Sequence, residues 1–157
     1  MPFCVMDSPA GRLRLSEEDG FLTRVDRADE PLRAPATPLL REAVRQLTAY
    51  FAGTLRDFDL PLRTHGTPFQ ECCWAALREI PYGVTVSYGE QARRVGNPKA
   101  SRAVGGANHH NPICIIIPCH RVVGSGGALT GYGGGLDMKA WLLQHERAVL
   151  ASIKQHE

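Results

Sequence analysis

The chain has 157 residues, of which 43% are hydrophobic and 22% charged, and its formal net charge is +2. These values are sufficient for a buried core in one domain or two, and the charge is too small to indicate a nucleic-acid binder by itself. Because no apolar run approaches the roughly 20 residues that span a bilayer and the N-terminus lacks a signal-peptide pattern, we expect a soluble, cytoplasmic protein without membrane contact.

The charge is unevenly distributed along the chain. Residues 1–65 hold 9 Lys and Arg against 10 Asp and Glu, whereas residues 66–157 hold 9 against 6. A basic excess of this size is more often a solvated surface than a binding face, so it favours nucleic acid only weakly.

The cysteines indicate a reducing compartment. The five of them contain no Cys-x-x-Cys pair, and the adjacent Cys72 and Cys73 cannot form an ordinary disulfide with each other. Residues 1–65 offer only Cys4 and His65 as soft metal ligands, so a four-coordinate zinc site is not expected there. We predict neither a metal site nor a cofactor.

A small β-sheet is predicted at the N-terminus, followed by one helix. Short, partly alternating segments that predict strands occur at residues 3–7, 12–16 and 21–26. Thr37 is placed to cap the helix, with Pro38 in its first turn and Gly53 as its stop. The apolar positions of this helix recur at steps of 4, 3 and 4, at Leu40, Val44, Leu47 and Phe51.

The predicted fold class is α+β, with two domains. Residues 55–62 are expected to return to the sheet, and residues 63–66 to form a linker. The N-terminal sheet-and-helix domain is therefore predicted at residues 1–63, and a mostly helical C-terminal domain at residues 67–150.

The C-terminal domain is predicted to begin with a helix at Thr67 and Pro68 that stops before Pro81. The adjacent Cys72 and Cys73 are expected only to pack in its buried stripe. The predicted stripe consists of Phe69, Cys72, Cys73, Ala76, Leu77 and Ile80.

A helix-turn-helix is predicted next. Ser87 and Glu90 have the spacing of a capping box that opens a helix over residues 88–95, and residues 96–98 break it before a helix over 99–108. The second helix carries small side chains on one face, which would allow either close packing against a neighbouring helix or close approach to DNA. Its small residues are Ala100, Ser101, Ala103, Gly105, Gly106 and Ala107.

Cys119 is the candidate nucleophile. It follows an apolar segment, residues 115–117, that we interpret as a strand, and His120 and Arg121 come directly after it. A neighbouring base or cation raises the fraction of reactive thiolate, although a buried structural cysteine at a strand end is the alternative.

A glycine-rich run at residues 131–135 is similar to a phosphate-binding loop but lacks the Gly-Lys-Ser/Thr ending. Nucleotide binding is therefore not expected.

Ordered motifs over residues 67–146 carry a resemblance to a known family. They are Ser87-Tyr88-Gly89-Glu90, Arg102 to Asn108, Asn111-Pro112, Ile117 to Val122, Thr130 to Gly134, and Trp141 to Glu146. With these motifs the chain resembles the DNA repair alkyltransferases that act on O6-alkylguanine, also called methylated-DNA–protein-cysteine methyltransferases. Residues 1–66 agree with the family only in general layout.

The resemblance implies a single-turnover reaction on duplex DNA. Cys119 would accept the alkyl group irreversibly as a thioether, His120 would take the thiol proton through a bridging water, and Glu146 would orient the imidazole. Asn111 would pin two segments of the domain, since its amide can bond two backbone groups at once.

The resemblance also implies how DNA is bound. The second helix of the pair would lie in the minor groove, with Arg102 filling the gap left by the extruded base. Tyr88 would push on the phosphate and hydrogen-bond the flipped guanine. The base pocket would be completed by Val122, Tyr132, Gly133 and Gly134. Further DNA contacts are expected from Ser87, Lys99, Ser101 and Gly105, and the protein is expected to be a monomer.

Two other functions remain open from the residues. The first is a non-catalytic protein that binds lesions and flags them, although such proteins lack the cysteine that stands here at position 119. The second is a cysteine hydrolase using Cys119 and His120, which adjacent residues at a strand end support poorly because they point apart.

Overall fold

The computed structural model describes residues 1–127 and 135–155. It divides into two compact units, one at Met1–Thr64 and one that begins at His65. Within the described ranges, no helix combines the length and hydrophobicity that crossing a bilayer requires.

The N-terminal unit is a three-stranded antiparallel meander with one helix. Strands β1 (Phe3–Met6), β2 (Leu13–Glu18) and β3 (Phe21–Arg27) pair in chain order, and helix α1 spans Pro38–Phe51. Leu13, Leu15, Leu22, Val25, Leu40 and Leu47 are completely buried in this unit. The predicted meander and helix are confirmed.

Local chemistry explains where α1 begins. The Thr37 hydroxyl accepts a hydrogen bond from the Leu40 amide at 3.1 Å, and Pro38 occupies the first turn, where its missing N–H costs nothing. The helix therefore starts where the sequence predicts.

Residues 55–62 return to the sheet as predicted, but only at their C-terminal end. This segment makes one isolated bridge to the sheet, between Leu22 and Leu62. Pro61 has no N–H for a strand ladder. The buried Gln46 amide takes the backbone groups of Asp59 instead, with both hydrogen bonds at 2.9 Å.

The second unit is mostly helical. Its helices are α2 (Pro68–Leu77), α3 (Tyr88–Arg94), α4 (Ser101–His109) and α5 (Leu136–Gln155). A short parallel pair joins β4 (Val86–Ser87) to β5 (Val122–Val123), and 3₁₀ turns span Cys119–Arg121 and Ser125–Gly127. The α+β class with a C-terminal helix-turn-helix is thereby confirmed.

The predicted stripe of α2 is partly wrong. Cys73 and Leu77 are buried, but Phe69 and Cys72 are exposed, and Trp74 lies inside instead. The Trp74 indole N–H donates to the Ala107 carbonyl at 2.8 Å, so the large ring is buried with its polar group satisfied. This bond also fastens α2 to α4.

Helices α3 and α4 form the predicted pair around a core of Cys73, Ala92, Val104 and Ala107. Inside it, the side chains of Gln91 and Asn108 exchange two hydrogen bonds, at 2.9 and 2.7 Å. A reciprocal amide pair of this kind fixes the relative position of two helices, since neither amide can leave without exposing an unsatisfied partner.

The ends of these helices differ from the prediction in two details. The Ser87 hydroxyl accepts from the Glu90 amide, but the Glu90 carboxylate pairs with Arg93 and Arg94, so the capping box is half formed. Helix α4 begins at Ser101 because residues before it form a turn in which the Ala100 amide donates to the Asn97 carbonyl.

Candidate active site

Cys119 lies in a turn, which corrects the predicted strand before it. Ile115 has a φ of 74°, and the Ile117 amide donates to the Ile113 carbonyl at 3.0 Å, so the apolar run reverses direction. The Cys119 amide then donates to the Ile117 carbonyl at 2.8 Å, and Cys119 opens the 3₁₀ turn with 4% of its surface exposed.

Asn111 holds this turn from inside. Its Nδ2 donates to the Ile117 carbonyl at 2.8 Å, and its Oδ1 accepts from the Ile113 amide at 3.0 Å. Both hydrogen bonds join Asn111 to backbone groups of its own loop. The predicted link between two segments of the domain is therefore corrected to a link within one loop. The Asn111 side chain thus fixes the backbone that carries Cys119.

The surroundings of the Cys119 sulfur favour the thiolate. A hydrogen bond from the Cys114 side chain lowers the pKa of Cys119, burial opposes that change, and a bond from Asn111 and the charge of Lys139 also lower it. The net direction is a pKa below the ordinary thiol value. The hydrogen-bond donors and the charge of Lys139 favour the thiolate by more than its burial disfavours it.

His120, Arg121 and Glu146 form a buried cluster beside Cys119. The His120 Nε2 lies 2.7 Å from Glu146 Oε2, and Arg121 donates to Glu146 from Nε and Nη2, each at 3.0 Å. The Gly83 amide donates to the same carboxylate at 3.0 Å, and Arg121 Nη1 donates to the Ile80 carbonyl at 2.7 Å. The structure therefore brings His120 and Glu146 together, although 25 residues separate them.

The cluster determines which nitrogen of His120 is free to accept a proton. Burial alone would raise the pKa of Glu146, but its bonds to His120 and Arg121 outweigh burial and hold that pKa below the usual range. Burial lowers the pKa of His120, the bond and charge of Glu146 oppose that change, and the charges of Arg121 and Lys139 support it, so the pKa lies below the ordinary imidazole value. Facing a carboxylate that only accepts, a neutral His120 donates from Nε2 and keeps a lone pair on Nδ1.

The His120 Nδ1 atom is buried and has no hydrogen-bond partner among the residues that the structure describes. A buried acceptor without a partner is costly, and such groups concentrate where chemistry is done. The arrangement can therefore take up a proton beside a thiol whose pKa is lowered.

Lys139 is a site residue that the sequence analysis missed. It is completely buried on α5, and its Nζ lies 3.5 Å from the Tyr88 hydroxyl. Burial lowers the pKa of Lys139, and the Cys119 thiolate opposes that change. The sequence did offer one signal for Lys139: it lies seven residues before Glu146, so the two side chains share one face of a helix.

Tyr88 and Val122 border the same region. Tyr88 opens α3 and is half-buried, and a Cβ at Gly105 would lie 3.7 Å from its ring. Val122 is fully buried in β5. The other predicted pocket residues, Tyr132, Gly133 and Gly134, lie outside the described residues.

One face of α4 is exposed. Arg102, Ala103 and Gly106 point to solvent, whereas Val104, Ala107 and Asn108 are buried. Lys99 and Ser87 are exposed near the helix starts, and Ser101 and Gly105 are half-buried. A side chain at Gly106 would meet nothing within 4 Å, so its small size is not required by packing.

No metal centre occurs in the described part of the chain, because no three His, Cys, Asp or Glu side chains are grouped to hold an ion there. None of the five cysteines, all of which lie in the described ranges, forms a disulfide.

Comparisons with known proteins cover most of the chain. A family model described as the DNA binding domain of 6-O-methylguanine DNA methyltransferase matches residues 68–148, and one described as its ribonuclease-like domain matches residues 2–64. A methylated-DNA–protein-cysteine methyltransferase of Methanosarcina acetivorans is 49% identical over 93% of this chain and 98% of its own. Another, of Mycolicibacterium paratuberculosis, is 54% identical over 90% of each chain.

A solved structure has the same fold. The crystal structure of Mycobacterium tuberculosis OGT in complex with DNA superposes with a TM-score of 0.86, at 49% identity over 94% of this chain and 93% of that one. Two family models and relatives of about half identity thus cover both units. The chain belongs to the 6-O-methylguanine DNA methyltransferase family.

Proposed function

We propose that this protein repairs O6-alkylguanine in duplex DNA by moving the alkyl group onto Cys119. A carbon–sulfur bond forms as the carbon–O6 bond breaks, and the electron pair of the broken bond stays on the guanine. The thiol gives up one proton and the departing guanine takes up one, so the reaction balances without a cofactor. The thioether is not cleaved by ordinary cellular reductants, so each molecule acts once.

The observation that carries this proposal is the buried Nδ1 of His120 beside a thiol of lowered pKa. His120 takes the Cys119 proton through a bridging water, and Glu146 stabilises the imidazolium. Arg121 neutralises the same carboxylate, which keeps Glu146 ionised inside the protein. Such a base contributes typically 10²–10⁴-fold to a rate.

DNA binding is assigned to the helix-turn-helix. The exposed face of α4 is low in bulk and carries Arg102, which suits insertion into the minor groove and filling of the gap left by a flipped base. Tyr88 and Val122, with Tyr132, Gly133 and Gly134, complete the base pocket. Ser87, Lys99, Ser101 and Gly105 contact DNA close to the helix starts.

The remaining parts of the proposal concern organisation. Residues 1–63 form a sheet-and-helix domain and residues 67–150 the DNA-binding and transfer domain. The protein acts as a monomer in the cytoplasm, where a reducing environment keeps Cys119 available. Five cysteines without a disulfide are compatible with such a compartment.

Mass spectrometry of the Cys119 peptide after incubation with duplex DNA carrying O6-methylguanine tests the transfer. We expect a gain of one methyl group per molecule, and none after incubation with undamaged DNA. Tight binding without any gain would instead support a lesion flag, and turnover of an ester substrate would support a hydrolase.

Replacing Arg102 by Ala tests base extrusion. The variant should lose about tenfold or more on a duplex substrate but little on a free O6-alkylguanine base, because only the duplex requires extrusion costing a few kcal/mol. Arg147→Ala, which removes an exposed arginine from α5, is the matched control. Equal losses on both substrates would mean that Arg102 does not assist extrusion.

A further inference from the structure

Arg121, the residue that follows His120, is buried together with its charge. It is 6% exposed. Its Nε and Nη2 donate to the two oxygens of Glu146, each at 3.0 Å, and its Nη1 donates to the Ile80 carbonyl at 2.7 Å. A guanidinium that binds both oxygens of a carboxylate fixes the orientation of that carboxylate. Arg121 therefore determines where the Glu146 oxygen that faces His120 lies.

The turn after α2 holds the same pair. The Arg121 guanidinium lies 5.5 Å from the centre of the Tyr82 ring, within the roughly 6 Å over which an aromatic face attracts a cation. Gly83 has a φ of 77°, and its amide donates to Glu146 Oε1 at 3.0 Å. A Cβ at Gly83 would lie 2.1 Å from Leu150 Cδ1, so only a glycine brings its amide this close.

The charges of this cluster explain why His120 rests neutral. Glu146 and Arg121 balance each other, so a neutral His120 leaves the three side chains without net charge. A proton on His120 would add an unbalanced charge where burial already disfavours one. The charges of Arg121 and Lys139 act in the same direction as burial and lower the pKa of His120.

Removal of Arg121 would change this balance. Glu146 would then be a single buried negative charge beside His120, and the pair would take up one proton to neutralise it. If the proton goes to His120, it occupies Nδ1, because Nε2 already carries the hydrogen that faces Glu146. If it goes to Glu146, the carboxyl donates to Nε2, and the neutral imidazole carries its hydrogen on Nδ1. In both cases the lone pair that accepts the Cys119 proton is lost.

We propose that Arg121 is a positioning residue for alkyl transfer, which balances the charge of Glu146 so that Nδ1 of His120 stays free to accept the Cys119 proton. This role rests on the proposed function. In the step itself a proton leaves the Cys119 sulfur and reaches Nδ1 through water, and Arg121 neither gains nor loses a proton. Arg121 acts only through Glu146 and His120.

Other ionisable groups come from the elements around His120, and all of them stay in place when position 121 is changed. Helices α5 and α2 both pack against the 3₁₀ turn that carries His120. These groups are Lys139 on α5, Cys119 in the 3₁₀ turn, Glu71, Cys72 and Cys73 on α2, Tyr82 after α2, and Tyr88 on α3. A difference between variants at position 121 then reports on Arg121.

The test uses two substitutions of Arg121. Arg121→Met removes the charge at similar length, and Arg121→Lys keeps the charge without the fork. Arg147→Met is the matched control, because Arg147 is exposed on α5 next to Glu146.

Two measurements are made on each protein. NMR of isotope-labelled histidine rings distinguishes a ring nitrogen that carries a proton from one that does not. A His120→Asn protein identifies the His120 signals among the six histidines. Single-turnover methyl transfer from a duplex is followed over the same pH range and expressed per folded molecule.

We expect Nδ1 of His120 to lack a proton at neutral pH in wild type, Arg121→Lys and Arg147→Met, and to carry one in Arg121→Met. Transfer by Arg121→Met should fall about tenfold to a hundredfold at neutral pH, which is part of what a general base contributes. It should approach the wild-type rate as alkaline pH removes the extra proton. Arg121→Lys should lose less at neutral pH, since it keeps the charge.

A proton on Nδ1 of wild-type His120 at neutral pH would overturn the proposal, even if Arg121→Met fails to fold. The same holds for a proton on Nδ1 in Arg121→Lys, for its absence in folded Arg121→Met, and for a loss of transfer in Arg121→Met that is the same at every pH. Absence of transfer by the wild-type protein would refute the proposed function instead, while the ring-nitrogen signals would still decide on Arg121.

Discussion

Cys4 and Cys119 are both buried, yet their thiols are shifted in opposite directions. Cys4 lies in β1 with none of its surface exposed, and burial raises its pKa to about 11. Cys119 is 4% exposed, and its pKa is lowered by hydrogen bonds and a nearby cation in spite of burial. Burial therefore does not make a cysteine inert; the polar groups buried with it decide the outcome.

The same contrast separates the two units. Among the described residues, the N-terminal unit buries only two polar side chains, Ser16 and Gln46, and neither is charged. Its ion pairs, such as Glu42 with Arg45, lie at the surface. The second unit buries four ionisable side chains around one cysteine, namely His120, Arg121, Lys139 and Glu146. The N-terminal unit therefore buries only neutral side chains, whereas the second unit buries charges that packing alone would not require.

The largest expected effect is the loss of transfer on replacing Cys119 by Ser. A hydroxyl is a far poorer nucleophile than a thiolate but has nearly the same size, so methyl transfer should be abolished while DNA binding stays within a few-fold. Methyl transfer is measured by mass spectrometry, and binding by titration of a labelled duplex.

Cys4→Ser and Cys73→Ser are the controls for that experiment. Burial raises the pKa of Cys73 also to about 11, with a small contribution from Cys72. Both variants should keep full transfer per folded molecule. Transfer by the Cys119→Ser protein would show that another residue is the acceptor.

Replacing Glu146 by Gln should have the next largest effect. The substitution removes the charge that balances Arg121 inside the protein, and breaking a buried pair in this way typically costs about 3–5 kcal/mol. Transfer should also slow, because a neutral amide stabilises an imidazolium less well. Thermal and urea unfolding measure the first effect, and single-turnover rates the second.

Glu42→Gln sharpens this result. The hydrogen bond from Arg45 holds the pKa of Glu42 at about 2, so both carboxyls are shifted in the same direction. Glu42 is at the surface, where ion pairs contribute little, and its loss should leave the melting temperature nearly unchanged. Equal destabilisation by the two substitutions would contradict the distinction between the units.

Local sequence signals predicted the elements of the N-terminal unit because they act within a few residues. The cap at Thr37 and the alternation of the strands need no distant partner. Residues 55–62 join the sheet only through Leu62, because Asp59 pairs with Gln46, which lies 13 residues earlier in the chain. The residues next to Asp59 in the sequence give no indication of its contact with Gln46.

The site was predictable only where a motif carried it. Cys119, His120 and Glu146 follow from the family resemblance, and the structure brings His120 and Glu146 within 2.7 Å. The turn at Ile115 is hidden in an apolar run that is typical of a strand, since a positive φ is rare for an isoleucine. A buried Lys139 is equally unexpected, because lysines on helices normally face solvent.

Methylation of Cys119 should lower stability by about 1–3 kcal/mol, the usual cost of an added group in a packed interior. The thioether makes Cys119 a neutral buried sulfur like Cys4, but in surroundings arranged for a charge. It accepts poorly from Cys114 and Asn111 and no longer balances Lys139. Melting temperatures of unmodified and fully methylated protein are compared, with protein incubated with undamaged DNA as the control. A melting temperature that stays the same or rises after methylation would exclude this strain.

The smallest and sharpest test is Lys139→Met, because its effects on reactivity and stability should have opposite signs. The charge of Lys139 helps to lower the pKa of Cys119, so the variant should have its thiol midpoint at higher pH and transfer about threefold more slowly near neutral pH. Lys99→Met, which removes an exposed lysine, should leave the midpoint unchanged.

Stability should rise in the same Lys139→Met protein. Burial lowers the folded-state pKa of Lys139 below its unfolded value, so at neutral pH the folded protein holds the charged form at a cost that methionine avoids. As pH rises through the folded pKa, Lys139 loses its proton in the folded state first, and wild-type stability gains on that of the variant. The melting-temperature advantage of Lys139→Met should therefore be largest near neutral pH and shrink at alkaline pH. A Lys139→Met protein less stable than wild type at neutral pH would contradict this expectation. It would mean that the interactions of the Lys139 ammonium inside the protein outweigh the cost of burying it, so that this buried charge does not reduce the stability of the second unit.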